Sequence, residues 1–499
     1  MSPFEVSANR FDFIGWQIFR SPHFVVYSDG GEKAVSRVVR ELEMLHLAAQ
    51  QLLERAAPPH APVIVVLPSS SSDWRKLRSR GNVRWRVSVS TFQRFAYYIV
   101  AEYDWEREGA KTLWSALGGL EASWIGPEPS FAVSKGICSY FETATFEADQ
   151  VVLGGYNPRE QFLVEQGWMD WDRVFAITNQ SREYTNEAPD LHRFMAQSAL
   201  FVQYLFDESA PLRRRKMRQW NSVFEAGWRP TETLFAAIFG SDFAAFQKDA
   251  EQAVWRERSR TRTFKFTAAE LDFPVVTESV KARPMRELFV LTQILNQRVD
   301  ASEAALDSLL GQGLETAALR GLLVEACLNW NRREAAAKVL DELMAADAVA
   351  PEVYAMAASL RVDSIVKREL DVSVRLSPED ARQIQTWCDQ ALALAPYLAQ
   401  ANEVSALAAG WGPTVDAAQS TLIKTRFEAL SDRGPVDGCL AALAMAEWRL
   451  GNDHEARRVC VYLLRYAAVR LQVRRLARTM LNELDRREAQ GAAVWGEGT

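Results

Sequence analysis

Beyond residue 285 nearly every segment of this chain is Ala/Leu-rich, with apolar residues at helical spacing and a short Gly, Asn or Pro break before the next segment. Helices of that kind bury their apolar stripes only against one another, which restricts this half of the chain to an array of paired helices. The half before it has a different texture. Residues 24–27 (FVVY) form a strand-like run, Asp29-Gly30-Gly31 breaks it, and Val35, Val39, Leu42, Leu45 and Leu52 then recur at helical spacing. Pro58-Pro59 ends that helix, 63–67 (VIVVL) reads as a buried strand, 95–103 supplies another, and 108–121 and 130–143 read as helices. From Pro189 the strand signals fade, and helices are expected at 190–206, 211–225, 231–239 and 241–257. Residues 258–283 are polar, charged and non-periodic, punctuated by Pro274 and Pro284. The expected layout is an α+β domain over 1–257, a linker or domain-closing segment over 258–283, an all-α helical-repeat domain over 284–490 and a tail over 491–499.

Composition narrows the function classes. With 499 residues, 48% of them hydrophobic, the chain can bury the cores of two or more domains. Its formal net charge of -6 excludes the electrostatic footprint of a dedicated nucleic-acid binder. Residues 74–86 (WRKLRSRGNVRWR) do interleave six basic residues with Trp74 and Trp85, the mixture that single-stranded nucleic acid uses, but an exposed helix and loop with its tryptophans tucked inward explains them as well. Nucleic acid is therefore not an expected partner, and Arg213 to Arg218 read as the solvated face of a helix. The five cysteines, Cys138, Cys327, Cys388, Cys439 and Cys460, contain no CxxC pair and read as buried free thiols. No apolar stretch reaches the ~18 residues a membrane-spanning helix needs, and the first residues lack the pattern of a signal peptide. As written the chain is expected to be soluble and cytoplasmic, or exported if a leader was removed.

Three segments of the helical half look alike: 326–336 (ACLNWNRREAA), 387–396 (WCDQALALAP) and 446–456 (AEWRLGNDHEA). The first and third place a small turn, Asn331 or Gly451-Asn452, a few residues before a Glu-Ala pair. They resemble tetratricopeptide repeats, with a generic α-solenoid as the alternative because the spacing is irregular.

In the first half, 16–29 (WQIFRSPHFVVYSD), 135–143 (KGICSYFET), 194–205 (FMAQSALFVQYL) and 235–242 (FAAIFGSD) resemble, in order and spacing, a bacterial family of gluzincin-type metallopeptidase-like proteins, often found with tetratricopeptide repeats attached. The resemblance covers about residues 16–255. It implies an α+β metallopeptidase-like domain in which active members use an HExxH helix for two zinc ligands and a general base, and a following helix for a third, glutamate ligand. In this chain the second helix carries Gly136 and Tyr140 at matching positions, which puts Lys135, a cation, where the ligand glutamate belongs. The first helix is best matched by 111–120 (KTLWSALGGL), with Trp114, Ser115 and Gly118 at the histidine, glutamate and histidine positions. No other register restores the motif, because no histidine lies between His60 and His192.

Other chemistries find no support in the sequence. The chain holds no GxSxG, P-loop or GxGxxG after a strand, and its five histidines, His23, His46, His60, His192 and His454, offer no helical ligand pair. Glu43 and His46 share a helix face, but His46 continues the apolar stripe and reads as a core-edge residue. His192 precedes the 194–205 segment and is a candidate to line the cleft. Glu102, Asp104, Glu106 and Glu108 read as a solvated acidic turn rather than an acid/base pair. We assign no catalytic or metal-ligating residue and no cofactor; Trp114, Ser115, Gly118, Lys135 and Tyr140 mark the vestigial cleft. The expected function is that of a catalytically inactive peptidase-like scaffold that binds a protein or peptide through its cleft and helical repeats. A hydrolase of unrecognised mechanism in the same cleft, or a structural subunit of a larger assembly, stays open. Lys135 is expected beside the helix at 108–121, paired with an acid such as Glu102, Asp104 or Glu121 or with a carbonyl.

Overall fold

The structure, a computed structural model, describes residues 15–53, 63–70, 87–90, 97–101, 109–123, 130–178, 181–185, 189–206, 216–217, 219–220, 231–255, 261–295, 302–314, 316–345, 349–366, 372–396, 398–430, 437–465 and 471–496. The chain divides into two compact units, and among the described residues the division falls between Leu343 and Met344. That is later than the boundary expected at 258–283.

The N-terminal unit begins with β1 (Gln17–Arg20), β2 (Phe24–Ser28), α1 (Glu32–Leu52), β3 (Val63–Leu67), β4 (Val87–Ser90) and β5 (Tyr97–Ala101). Then come α2 (Gly109–Ser123), α3 (Phe131–Phe141), β6 (Thr145–Phe146), β7 (Gln150–Leu153), α4 (Glu160–Gln166), α5 (Trp171–Ala176), α6 (Arg182–Thr185) and α7 (Pro189–Leu205). It ends with α8 (Glu232–Phe239), α9 (Phe243–Trp255), β8 (Arg262–Lys265), β9 (Val276–Ser279), α10 (Ala282–Leu295), α11 (Ser302–Gln312), α12 (Ala317–Asn329) and α13 (Arg333–Met344).

The main sheet has the order β4-β5-β3-β2-β1-β9. Its centre, β2, β3 and β5, is parallel, whereas β4, β1 and β9 each join antiparallel. Every residue of β2 and β3 is buried, which is why both read as unbroken apolar runs rather than alternating ones. Helix α1 lays Val35, Val38, Val39, Leu42, Leu45, Ala49 and Leu52 into the core. At the strand ends the Asp29 carboxylate accepts from the backbone N–H and hydroxyl of Ser69, at 2.6 and 2.8 Å.

The polar stretch 258–283 closes this unit. Strand β8 pairs with β7 in a small second sheet, and β9 pairs with β1 at the edge of the first, Phe19 opposite Thr277. Both strands are four residues long and largely exposed, so neither shows the apolar run that marks a strand in sequence. A second core gathers Trp171, Phe175, Phe201, Trp220, Phe235, Phe239, Phe243 and Phe246, with ring centroids as close as 4.6 Å. Of the basic run 213–218, Lys216 and Met217 are described: Met217 is buried, and Lys216 donates to the Phe239 carbonyl at the end of α8 rather than facing solvent alone.

The second unit carries α14 (Pro351–Val366), α15 (Pro378–Leu394), α16 (Ala399–Gly410), α17 (Ala417–Leu430), α18 (Asp437–Arg449), α19 (Asp453–Arg465) and α20 (Leu471–Gly496), with no strand among its described residues. Each helix packs on the next, and α14, α16, α18 and α20 also pack on one another in turn, so they form an inner row with α15, α17 and α19 outside it. The inner helices are rich in alanine because small side chains let several neighbours approach: a methyl on Gly410 would lie 2.8 Å from the Ala442 carbonyl oxygen.

Two of the three look-alike segments share one turn. Asn331 and Gly451 both sit at positive φ, 56° and 78°, and the same bonds flank them: Asn331 N–H to Leu328 O and Arg332 N–H to Cys327 O, Gly451 N–H to Trp448 O and Asn452 N–H to Glu447 O. This is the Schellman ending, which places one residue in the left-handed region to satisfy the last carbonyls of a helix. The segment 387–396 has no such turn; most of it lies within α15. All five cysteines are buried and free, and burial raises Cys388 and Cys460 to about 12.

A fragment spanning 344–499 is expected to melt as one cooperative helical transition by far-ultraviolet circular dichroism; a broad, non-cooperative melt would show that this unit does not hold its own core. Gly451→Ala should cost about 1–2 kcal/mol in urea denaturation, since a Cβ is disfavoured in the left-handed region, while Asn331→Gly should be neutral or stabilising.

Candidate functional site

Helix α3 is the element around which the expected cleft residues gather. It starts at Ser130, whose hydroxyl accepts the Val133 N–H, and its residues from Gly136 to Phe141 are all buried. It packs between α2 and α7. The side chain that would exist at Gly136 is replaced by the backbone of α7: a methyl there would lie 2.2 Å from the Ser198 carbonyl oxygen. On the other side, a methyl at Gly118 would lie 2.8 Å from Phe141, and one at Gly119 would lie 3.0 Å from the Cys138 sulfur.

The five marked residues do not share one surface. Trp114 is buried with its ring 5.0 Å from that of Phe146, and Tyr140 is buried with its ring 5.7 Å from that of Phe206, so both serve the core. Gly118 is a packing surface for Phe141. Ser115 and Lys135, both half-buried, are electrostatic neighbours of the same residue, Cys138.

Lys135 occupies an aromatic frame. Its Nζ stands 5.3 Å from the centroid of Phe131 and 5.4 Å from that of Tyr184, whose phenol is an electrostatic neighbour. Tyr184 is held there by edge contacts with Phe131 at 4.8 Å and Phe194 at 6.2 Å. Burial works against the charged form of Lys135, but its neighbours Cys138 and Tyr184 outweigh it and leave the amine above its ordinary pKa, so it is an ammonium at neutral pH. Cys138 is pushed up by burial and stays a thiol. Neither is poised as a nucleophile. Glu102 and Asp104, expected as partners of Lys135, lie outside the described residues with Glu106, Glu108 and the basic segment 74–86, and of Glu121 only its place in α2 is described. Among the described residues the partner of Lys135 is a phenol, not an acid or a carbonyl.

A neighbouring polar cluster at the far end of α3 was scarcely legible from sequence. Glu142 forms a two-pronged ion pair with Arg159, at 2.5 and 3.0 Å, and Thr143 accepts the Gly154 N–H. His192 stacks on Phe162 at 4.4 Å, and its Nδ1 is buried without a hydrogen-bond partner. Burial, and then the nearby Arg159, lower its pKa, so His192 is neutral at pH 7. These residues are far apart in sequence, so only the position of His192 just ahead of the 194–205 segment was a usable signal.

Beside the sheet, Glu43 takes the backbone N–H and the ring Nδ1 of His23 at 2.8 and 2.7 Å, and the His46 ring, fully inside the core, lies 4.4 Å from that of His23. Among the described residues no group of three or more His, Cys, Asp or Glu side chains is arranged to hold a metal ion, and no helix is long and apolar enough to cross a membrane. No family model matches this chain, and no curated protein matches it either.

Burial raises the Glu43 pKa, but the hydrogen bonds and charge of His23, with Ser21, outweigh it and hold the carboxyl below its ordinary value. A carboxyl depressed in the folded state contributes stability that is complete above its unfolded pKa of about 4.3 and is lost as pH falls through the folded value. Glu43→Gln should therefore be about 1–3 kcal/mol less stable than the parent near pH 7, with the gap closing below pH ~4; a gap that stays constant with pH in denaturant titrations would rule out the carboxylate as its source.

Proposed function

We propose that this protein is a pseudo-peptidase: a gluzincin-like domain, resembling that family without its zinc ligands, that binds a protein or peptide in the cleft beside α2 and α3 and, through the attached helical repeats, acts as a scaffold. The observation that carries the reading is the state of position 118. In the alignment with the HExxH helix this position is the second histidine, and here it is a glycine against which Phe141 is seated at a distance no larger side chain tolerates. A metal-binding pair of helices holds its ligands apart around an ion; α2 and α3 instead meet side chain to backbone, and the third-ligand position is a cation that repels a divalent metal.

The rest of the cleft agrees with binding rather than bond cleavage. The candidate nucleophile Cys138 is a buried thiol, Lys135 is a protonated amine unable to act as a base, and Ser115 has a thiol rather than a histidine beside it. What remains is a fixed cation, a hydroxyl and aromatic walls, which are recognition groups.

Elemental analysis of the purified protein is expected to find zinc well below one equivalent per chain, and casein or peptide substrates should be left uncut whether or not a chelator is present. One equivalent of zinc, lost together with peptidase activity on chelation, overturns the proposal. Gly118→Ala should destabilise the fold by about 1–3 kcal/mol through overpacking, as read from its thermal or urea midpoint.

A further inference from the structure

We infer that Lys135 is the anchor for a peptide's C-terminal carboxylate, an inference that rests on the cleft beside α2 and α3 being a retained peptide-binding surface. An ammonium has three N–H donors and a full charge to satisfy. At Lys135 the rings of Phe131 and Tyr184 offer their faces at 5.3 and 5.4 Å, and the Tyr184 phenol is an electrostatic neighbour. No carboxylate pairs with it among the described residues. The contrast with the neighbouring basic groups is direct: Arg159 holds Glu142, Arg173 holds Glu183 and Asp190, and Arg193 holds Asp190. Aromatic faces offset part of the cost of taking a cation out of water, but they do not neutralise it.

The chemistry of the missing counter-ion follows from the frame. Lys135 keeps part of its side chain at the surface and its ammonium among ring faces. The other polar group converging on the same spot, the Ser115 hydroxyl, is neutral. One fixed charge with neutral donors and apolar walls suits a singly charged, planar oxyanion; a phosphate dianion calls for several cations or a nest of backbone N–H groups. A carboxylate at a chain end meets this frame more readily than one on an internal side chain, because the peptide need not continue past a half-enclosed ammonium.

The test uses the full-length protein and fluorescein-labelled hexapeptides ending in an apolar residue, made as a free acid, as a C-terminal amide, and as an amide with an internal aspartate, with binding read by fluorescence anisotropy. The free acid is expected to bind at least about tenfold more tightly than either amide, the scale of a charge-assisted hydrogen bond. Lys135→Met should erase that preference and Lys135→Arg should keep part of it, with circular dichroism checking that each variant is folded. The comparison of acid with amide on the unmodified protein does not depend on any variant folding. Equal affinity for acid and amide overturns the carboxylate anchor while leaving a peptide-binding cleft in place; tighter binding of the internal aspartate moves the anchor to acidic side chains and overturns the C-terminal assignment; binding of none of the three overturns the anchor and the peptide-binding reading together.

Discussion

A methyl group on Gly136 would lie 2.2 Å from the Ser198 carbonyl oxygen, and one on Gly118 would lie 2.8 Å from Phe141, so α3 is clamped between α2 and α7 more closely than any other residue type allows. Much else in the N-terminal unit follows from that spacing. Because the helices meet backbone to side chain, Ile137, Cys138, Tyr140 and Phe141 are sealed from solvent, and only the N-terminal turns of α3, where Phe131 and Lys135 stand half-exposed, leave polar groups within reach. The same clamp fixes Tyr184 relative to Lys135, since Tyr184 rests on Phe131 of one helix and Phe194 of the other.

The buried charges around this clamp are handled in two ways. Glu142 and Arg159 meet each other in bidentate geometry, and Glu43 is surrounded by the donors of His23, so each carries its compensation with it. Lys135 instead leans on ring faces and a phenol. A pair is complete as folded, whereas a cation over aromatic rings retains unused donors and net charge. That difference distinguishes Lys135 from Glu142, Arg159 and Glu43.

Strands that sit in the centre of the sheet were legible in the sequence because burial on both faces writes them as uninterrupted β-branched runs: FVVY and VIVVL are strands β2 and β3, and the strand expected at 95–103 is β5 over 97–101. Helices α2, α3, α7, α8 and α9 likewise lie within a few residues of the expected spans. Edge strands were not legible. β8 and β9 are short, exposed and charged, features that protect a sheet edge and at the same time erase the strand signal, so residues 258–283 read as a linker or domain-closing segment without strands, whereas two strands there complete both sheets. The domain boundary shifted for the same kind of reason: α10 to α13 share the Ala/Leu texture of the later helices, and texture reports helix formation, not which core a helix joins. In the site, the placement of Lys135 on α3 beside α2 could be reasoned from sequence, but the inward turn of Trp114 and Tyr140 could not, because helical spacing does not tell a core aromatic from a cleft aromatic.

The packing of the second unit differs from that of an open helical stack. In an open stack of helix pairs the inner row lines a concave groove and keeps exposed side chains along it. Here α18 is buried from Asp437 through Glu447 and α16 from Val404 through Gly410, and the alanines of both belong to one core shared with α15, α17, α19 and α20. Helices enclosed on every side contribute packing, and their alanine content is the sequence trace of it. Among the described residues, the large apolar groups left exposed in this unit, Leu394 and Tyr462, stand on the outer-row helices α15 and α19 rather than on the alanine-rich inner ones.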